Sequence, residues 1–284
     1  MRPRPLIVWL VACYAFFYAP IAFLIVLSFN ASRLVTEWAG FSPHWYSVLA
    51  HDSRLIDAAL LSLRIAAVSA TLALIIGTLA GYALARFGPF RTRTAFAAAV
   101  VAPLVLPEVI TGLSLLLLFV TLQQSIDWPA QRGATTVTLA HASVSVAYVA
   151  VVVRARLADA GTLLEEAAMD LYAPPWRAFV LITVPLLAPA LISGWLLAFT
   201  LSLDDVVVAS FTSGPGASTL PMVVFSLLRL GPTPELYALA TVIVAVVAVL
   251  LVGVHNLSRF AGVGREAEQR RELDRRDTRE QGGE

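Results

Sequence analysis

The sequence predicts an all-α, polytopic membrane protein with six transmembrane helices. Of its 284 residues 58% are apolar and only 14% charged, against roughly half and a quarter in soluble domains. The apolar residues fall in long blocks separated by short charged stretches, as in helical membrane proteins. Those blocks run continuously instead of alternating apolar with polar, so barrel patterning is missing.

A helix needs about 20 residues to cross the hydrocarbon core. On that basis the spans fall near 6–28, 58–85, 95–120, 135–157, 183–205 and 236–257. In the first, Arg2 and Arg4 precede an apolar run from Leu6 to Phe29. That run exceeds the roughly 7–15 residues of a signal h-region and lacks a small-x-small cleavage site at its end, so it reads as a retained span. Residues 30–57 follow as a long segment whose Trp38, Trp45 and Tyr46 suit a membrane interface. Span three carries Pro103 and Pro107, each of which removes a backbone donor and frees nearby carbonyls. After span five come two turn signals, Ser213-Gly214-Pro215-Gly216 and Gly231-Pro232-Thr233-Pro234. The apolar run between them, Leu220 to Leu230, is too short to span and is expected to dip into the membrane edge. Residues 1–258 thus form a membrane domain. Residues 259–284 form a mixed-charge tail with no apolar face, expected as a frayed helix or disorder.

Arginines orient the chain. Arg2 and Arg4, then Arg86, Arg91 and Arg93, then Arg154, Arg156 and Arg177, and finally the arginines from Arg259 onward all fall on one side of a six-span chain. The opposite loops hold only Arg33, Arg54, Arg132 and Arg229, with Arg64 placed near a helix end. The positive-inside rule puts both termini in the cytoplasm.

Composition also excludes chemistry. Every basic side chain is Arg, and there is no Lys. That removes a P-loop, whose Lys must reach the phosphates, and Schiff-base catalysis. The single Cys13 lies in the first apolar block, so disulfide and multi-Cys metal frameworks are absent. His44, His51, His141 and His255 are scattered, with neither H-E-x-x-H nor G-x-S-x-G. His141 reads as a polar residue packing helices. No catalytic residue, metal site, cofactor or nucleic-acid partner is expected.

The segment between spans four and five, about 159–182, is the most informative. Gly161 to Leu171 favours a helix with Glu165 and Glu166 near its start, which suits the helix dipole. Tyr172-Ala173-Pro174-Pro175 breaks it, and a short amphipathic piece then leads into span five. Two short helices joined by a turn on the cytoplasmic face form either a docking knob or an ordinary connecting loop.

This stretch resembles the cytoplasmic "EAA" loop of permeases from binding-protein-dependent ABC importers. That pattern reads E-A-A, three residues, Gly, nine residues, I-x-L-P. Here Glu166-Ala167-Ala168, Ile182 and Pro185 stand at that spacing, while Tyr172 takes the place of the Gly and Val184 that of the Leu. The family Gly permits a left-handed turn; Pro174-Pro175 offers another way to build it. The resemblance extends over most of the chain and is greatest to the polyamine permeases. It is carried there by Ala102-Pro103-Leu104-Val105-Leu106-Pro107-Glu108, by Ser193-Gly194-Trp195 through Asp204-Asp205, and by the loop Ser213 to Met222. It implies a type I permease fold, multi-pass in a bacterial inner membrane. The implied partners are a cytoplasmic ATP-binding subunit dimer, a second permease and an extracytoplasmic polyamine-binding protein, with ATP bound by the ATPase and not by this chain. Glu166, Ala167, Ala168, Tyr172 and Pro185 are the implied coupling residues. Putrescine is the favoured cargo, spermidine the next, and another small solute or ion remains open.

Acids within the membrane are costly and therefore functional candidates. Glu108 lies about 13 residues into span three, roughly 20 Å deep at 1.5 Å per residue. It is either part of a cation pathway or paired to an Arg such as Arg64. Asp204 and Asp205 lie at the outer end of span five and, being adjacent, point about 100° apart, so one of them is expected to face the pathway. Trp195, Phe199 and Phe211 offer aromatic walls for a diamine or membrane-facing packing. A secondary transporter is the competing class, but no internal repeat is evident.

Overall fold

The computed structural model describes residues 4–33, 37–231 and 233–249. It is helical, and among the described residues the only β pairing is one isolated bridge, Asn30 with Phe41. Five helices are long and apolar enough to cross a membrane: Ile7–Leu27, Ser53–Arg86, Glu108–Ile126, Ala134–Ala160 and Pro175–Asp204. The shorter apolar helix Pro234–Val249 occupies the sixth expected position. The continuation of that span to 257 and the tail 259–284 lie outside the described residues.

The chain divides into two compact units. One comprises Met1–His51 and Gly231–Glu284 and contains α1 (Arg4–Leu27), α2 (His44–His51) and the helix Pro234–Val249. Within it the segment after α1 is organised by Asn30, which is fully buried. Its Nδ2 donates to the Glu37 carbonyl at 2.7 Å, its Oδ1 accepts from the Ala39 amide at 3.0 Å, and its carbonyl accepts from Trp45 Nε1 at 2.7 Å. Trp45 is therefore buried, whereas Trp38 stays exposed.

The second unit, Asp52–Leu230, holds α3 (Ser53–Arg86), α4 (Arg93–Val105), α5 (Glu108–Ile126), α6 (Ala134–Ala160), α7 (Leu163–Asp170), α8 (Pro175–Ala178), α9 (Val184–Asp204), α10 (Val207–Thr212) and α11 (Leu220–Leu230). Its centre is α3, α6 and α9, packed around Ala70, Ala73, Val149, Val153, Leu157, Leu187 and Ala198. Lipid is as apolar as these side chains, so close van der Waals fit must hold the helices together. Gly77 and Gly81, one turn apart on α3, allow that fit. A Cβ on Gly77 would lie 2.7 Å from the Val149 Cβ, and one on Gly81 would lie 2.7 Å from the Ala150 carbonyl oxygen. Arg64 sits well inside α3, not near its end as expected, and lines a separate cavity with Arg54 and Asp57.

Span three is corrected from one helix to two. Leu106 is extended, at φ −75° and ψ 137°, and caps α4; Pro107 has ψ 139° and caps α5. A proline cannot donate to the preceding turn, and the residue before it avoids the helical region. Glu108 is consequently the first residue of α5. A second irregularity precedes span five, where Phe179–Thr183 forms a π turn and the Val184 amide bonds the Phe179 carbonyl. Pro185 and its ring-to-carbonyl clash give the local reason for widening the helix here.

Candidate functional site

The α4–α5 break and the junction between α9 and α10, where Asp205 turns extended at ψ 125°, face one cavity of about 390 Å³. From the α4–α5 break come Pro103, Glu108 and Thr111; from the end of α9 and the start of α10 come Leu201 and Asp204 to Val208; α6 adds Val144 and Tyr148. Glu108, Asp204 and Asp205, which lie far apart in sequence, thus line the same space. Discontinuous helices are where membrane transport sites place freed backbone groups and charges.

Each acid is held differently. Glu108 stands at the N-terminal end of α5, where the helix dipole favours a carboxylate by about 0.3–1 kcal/mol. Asp205 Oδ1 accepts the Ala209 amide of α10 at 3.1 Å. Asp204 ends α9 and is exposed. Neither Glu108 nor Asp204 forms an ion pair or hydrogen bond with any described residue. Arg64, the partner suggested for Glu108, lines the other cavity instead. Beside Asp205 stands His141, buried on α6, with Nε2 3.9 Å from Asp205 Oδ1 and Nδ1 2.6 Å from Ser202 Oγ. Sequence reading cast His141 as a packing residue and did not connect it to the acids.

Helix α10 is fixed against α5 by a close approach. A Cβ on Gly112 would meet the Phe211 ring at 2.7 Å, so the ring lies flush on α5. Buried Val208 and Ala209 pack it into the bundle, and Thr136 Oγ1 donates to the Thr212 carbonyl at 2.7 Å. Trp195 and Phe199 do not line the acidic cavity. They stack on each other with ring centroids 5.1 Å apart, against the α3, α6 and α9 core, and Trp195 Nε1 donates to Thr71 Oγ1 at 3.1 Å.

The knob is the second candidate element. Helices α7 and α8 are joined by a turn in which Tyr172 has φ +62°. The left-handed turn usually given to Gly is therefore kept with a tyrosine in it, at a cost of roughly 1–2 kcal/mol, and is not rebuilt through Pro174-Pro175. Tyr172 is 96% exposed. Glu166 and Ala167 are exposed, Ala168 is half-buried, and Pro185 is exposed at the start of α9. The acid that anchors the knob is Glu165, not Glu166. Its carboxylate takes Arg86 Nε at 2.8 Å and Thr183 Oγ1 at 2.9 Å. Arg86 also donates to the Leu157 carbonyl at 3.1 Å and to the Gly161 carbonyl. One guanidinium thereby ties the ends of α3 and α6 to α7 and, through Thr183, to α9. No local pattern separates Glu165 from its neighbour Glu166; the distant Arg86 and Thr183 do.

Residues 73–259 match the family model described as "Binding-protein-dependent transport system inner membrane component". The chain is 56% identical over 244 residues to the putrescine transport system permease protein PotI of Escherichia coli K12, covering 86% of this chain and 87% of that one. It is 37% identical over 251 residues to the spermidine/putrescine transport system permease protein PotC of the same organism, covering 88% and 92%. A solved structure of a bacterial ABC transporter involved in alginate import matches with a TM-score of 0.64 at 16% identity, over 86% of this chain and 91% of that chain; this likeness shows a shared fold. With its long apolar helices, its helix breaks around a cavity and its two-helix knob, the chain belongs to the family of inner-membrane components of binding-protein-dependent transport systems.

Proposed function

We propose that this chain is the permease subunit of an ATP-driven importer that passes a polyamine, putrescine in preference to spermidine. The observation that carries the reading is the acidic cavity. Glu108, Asp204 and Asp205 converge on it, and no Arg of the described residues neutralises them. A protonated diamine carries two charges on a short apolar chain. Carboxylates supplied from two helix breaks, with apolar Pro103, Leu201 and Val206 to Val208 between them, match that distribution. Coulomb attraction at about 4 Å and an effective dielectric near 20 is roughly 4 kcal/mol before desolvation is subtracted. The names of the two polyamine permeases support the same cargo.

The chain has no chemistry of its own in this reading and needs no cofactor. Its partners are a cytoplasmic ATPase dimer that binds ATP, a second permease that completes the pathway, and an extracytoplasmic binding protein that delivers the polyamine. Both termini face the cytoplasm. ATPase closure pushes on the knob, and the Arg86–Glu165 link passes the motion to α3, α6 and α9 as a rigid-body rocking.

The test is uptake of radiolabelled putrescine and spermidine into vesicles holding the assembled transporter, with binding protein added outside. ATP-dependent accumulation of putrescine above spermidine supports the reading. Uptake driven by an ion gradient without ATP contradicts it.

A further inference from the structure

Behind the acidic cavity lies a buried polar chain that crosses three membrane helices and reaches a fourth element. Ser69 Oγ of α3 donates to Ser202 Oγ of α9 at 3.1 Å. Ser202 Oγ is 2.6 Å from His141 Nδ1 on α6. His141 Nε2 points to Asp205 Oδ1 at 3.9 Å, and Asp205 in turn accepts the Ala209 amide at the start of α10. The His141 side chain is 2% exposed, and its Nε2 is buried with no hydrogen-bond partner. Ser69 and Ser202 are buried as well. A buried polar nitrogen without a partner is uncommon in folded proteins. Here it is aimed at the one cavity carboxylate that is itself half-buried.

We propose that His141 is a positioning residue that holds the Asp205 carboxylate in the geometry that receives the cargo amine. The inference rests on the pathway reading above. Ser69 Oγ lies 3.1 Å from Ser202 Oγ and 3.2 Å from the Ala66 carbonyl; when its one proton goes to Ser202, the Ser202 hydroxyl proton is free to go to Nδ1. That leaves the imidazole proton on Nε2, directed at Asp205, since the partner of one ring nitrogen sets the state of the other. The 3.9 Å separation is about 1 Å beyond hydrogen-bond length. A small closing movement of α9 and α10 toward α6 makes the bond; opening releases it. Oδ1 is then held by both the Ala209 amide and His141 Nε2, which leaves Oδ2 for the cargo amine. A neutral imidazole serves this purpose without competing as a cation for the acid.

The two acid neighbours differ accordingly. Asp204 ends α9 in the open, with no hydrogen bond or close ion pair among the described residues, while Asp205 accepts the Ala209 amide. This identifies Asp205 as the member of the pair whose orientation is set by the fold.

The experiment is a double-mutant cycle in the reconstituted transporter. His141→Leu, Asp205→Asn and the double variant are compared for putrescine uptake, normalised to the amount of assembled complex. The expected result is a KM raised about tenfold by His141→Leu, with the maximal rate per complex within about twofold of the parent. Asp205→Asn raises KM at least as much, and the double variant matches Asp205→Asn alone, as residues acting through one another do not add. His141→Gln, which can present an N–H near the Nε2 position, recovers part of the loss. Multiplied effects in the double variant, or an unchanged KM in His141→Leu, overturn the proposal while leaving the acidic pathway standing. An unchanged uptake in Asp205→Asn overturns both this proposal and the role of Asp205 in the pathway. Should His141→Leu fail to assemble, Ser202→Ala frees the ring instead; it is expected to raise KM in the parent and to have no effect in Asp205→Asn, and an effect in both backgrounds overturns the proposal.

Discussion

The Arg86 guanidinium meets the Glu165 carboxylate at 2.8 Å, with the two side chains only 10% and 11% exposed. Removing one partner of a buried pair leaves an uncompensated charge, at about 3–5 kcal/mol. Glu165→Ala is therefore expected to loosen the knob and reduce uptake at least tenfold, with the permease still inserted. Ala167→Arg, on the exposed face of the same helix, should instead abolish ATPase association by obstructing a close fit. Copurification of the ATPase alongside uptake separates the two. Normal uptake in Glu165→Ala would show that the link does not transmit force.

Tyr172 gives a second expectation. Its left-handed backbone costs roughly 1–2 kcal/mol, and its side chain buries nothing in the isolated chain. Tyr172→Gly relieves that cost and adds about 0.5–1 kcal/mol of backbone entropy loss, for a net gain near 0.5–1 kcal/mol. Hydrogen exchange of residues 163–178 in the purified chain is expected to slow by about two- to fivefold. Faster exchange would mean that the tyrosine ring itself stabilises the turn.

Orientation is tested by cysteine accessibility in a Cys13→Ala background, because Cys13 is exposed. Single cysteines near positions 90 and 170 should label only after membrane permeabilisation. Those near 45, 130 and 218 should label from outside. External labelling near 170 would place the knob away from any cytoplasmic ATPase.

Much of this was legible in the sequence because membrane length and charge are strong constraints. Spans one, two, four and five fall within a few residues of α1, α3, α6 and α9, and the two turn signals bracket α11. Pro103 and Pro107 announced a disturbed span three, but only the backbone shows a full break that puts Glu108 at a helix start, where its charge is favoured. Which face a residue takes was less legible. Trp195, Phe199 and Phe211 offer either cavity walls or membrane-facing packing in the sequence, but a membrane helix is apolar all round, so periodicity does not reveal that Trp195 and Phe199 stack against the helix core. Glu165 and Glu166 are adjacent, and the burial of the first became visible only once Arg86 and Thr183 were seen to converge on it. The close approach at Gly77 and Gly81 had a readable signal, a glycine pair at small-xxx-small spacing. The His141–Ser202–Ser69 chain joins three distant segments by polar contacts that no local pattern encodes.

Carboxylates at the helix breaks, Glu108 foremost, attract the cationic cargo in the proposed pathway. Glu108→Gln preserves size and hydrogen bonding while removing charge. Even a third of the roughly 4 kcal/mol attraction at about 4 Å changes a rate about tenfold. The most direct measurement is putrescine uptake by the reconstituted Glu108→Gln transporter, read beside the yield of assembled complex. Uptake is expected to fall about tenfold or more with complex yield unchanged. Normal uptake at normal yield would contradict it.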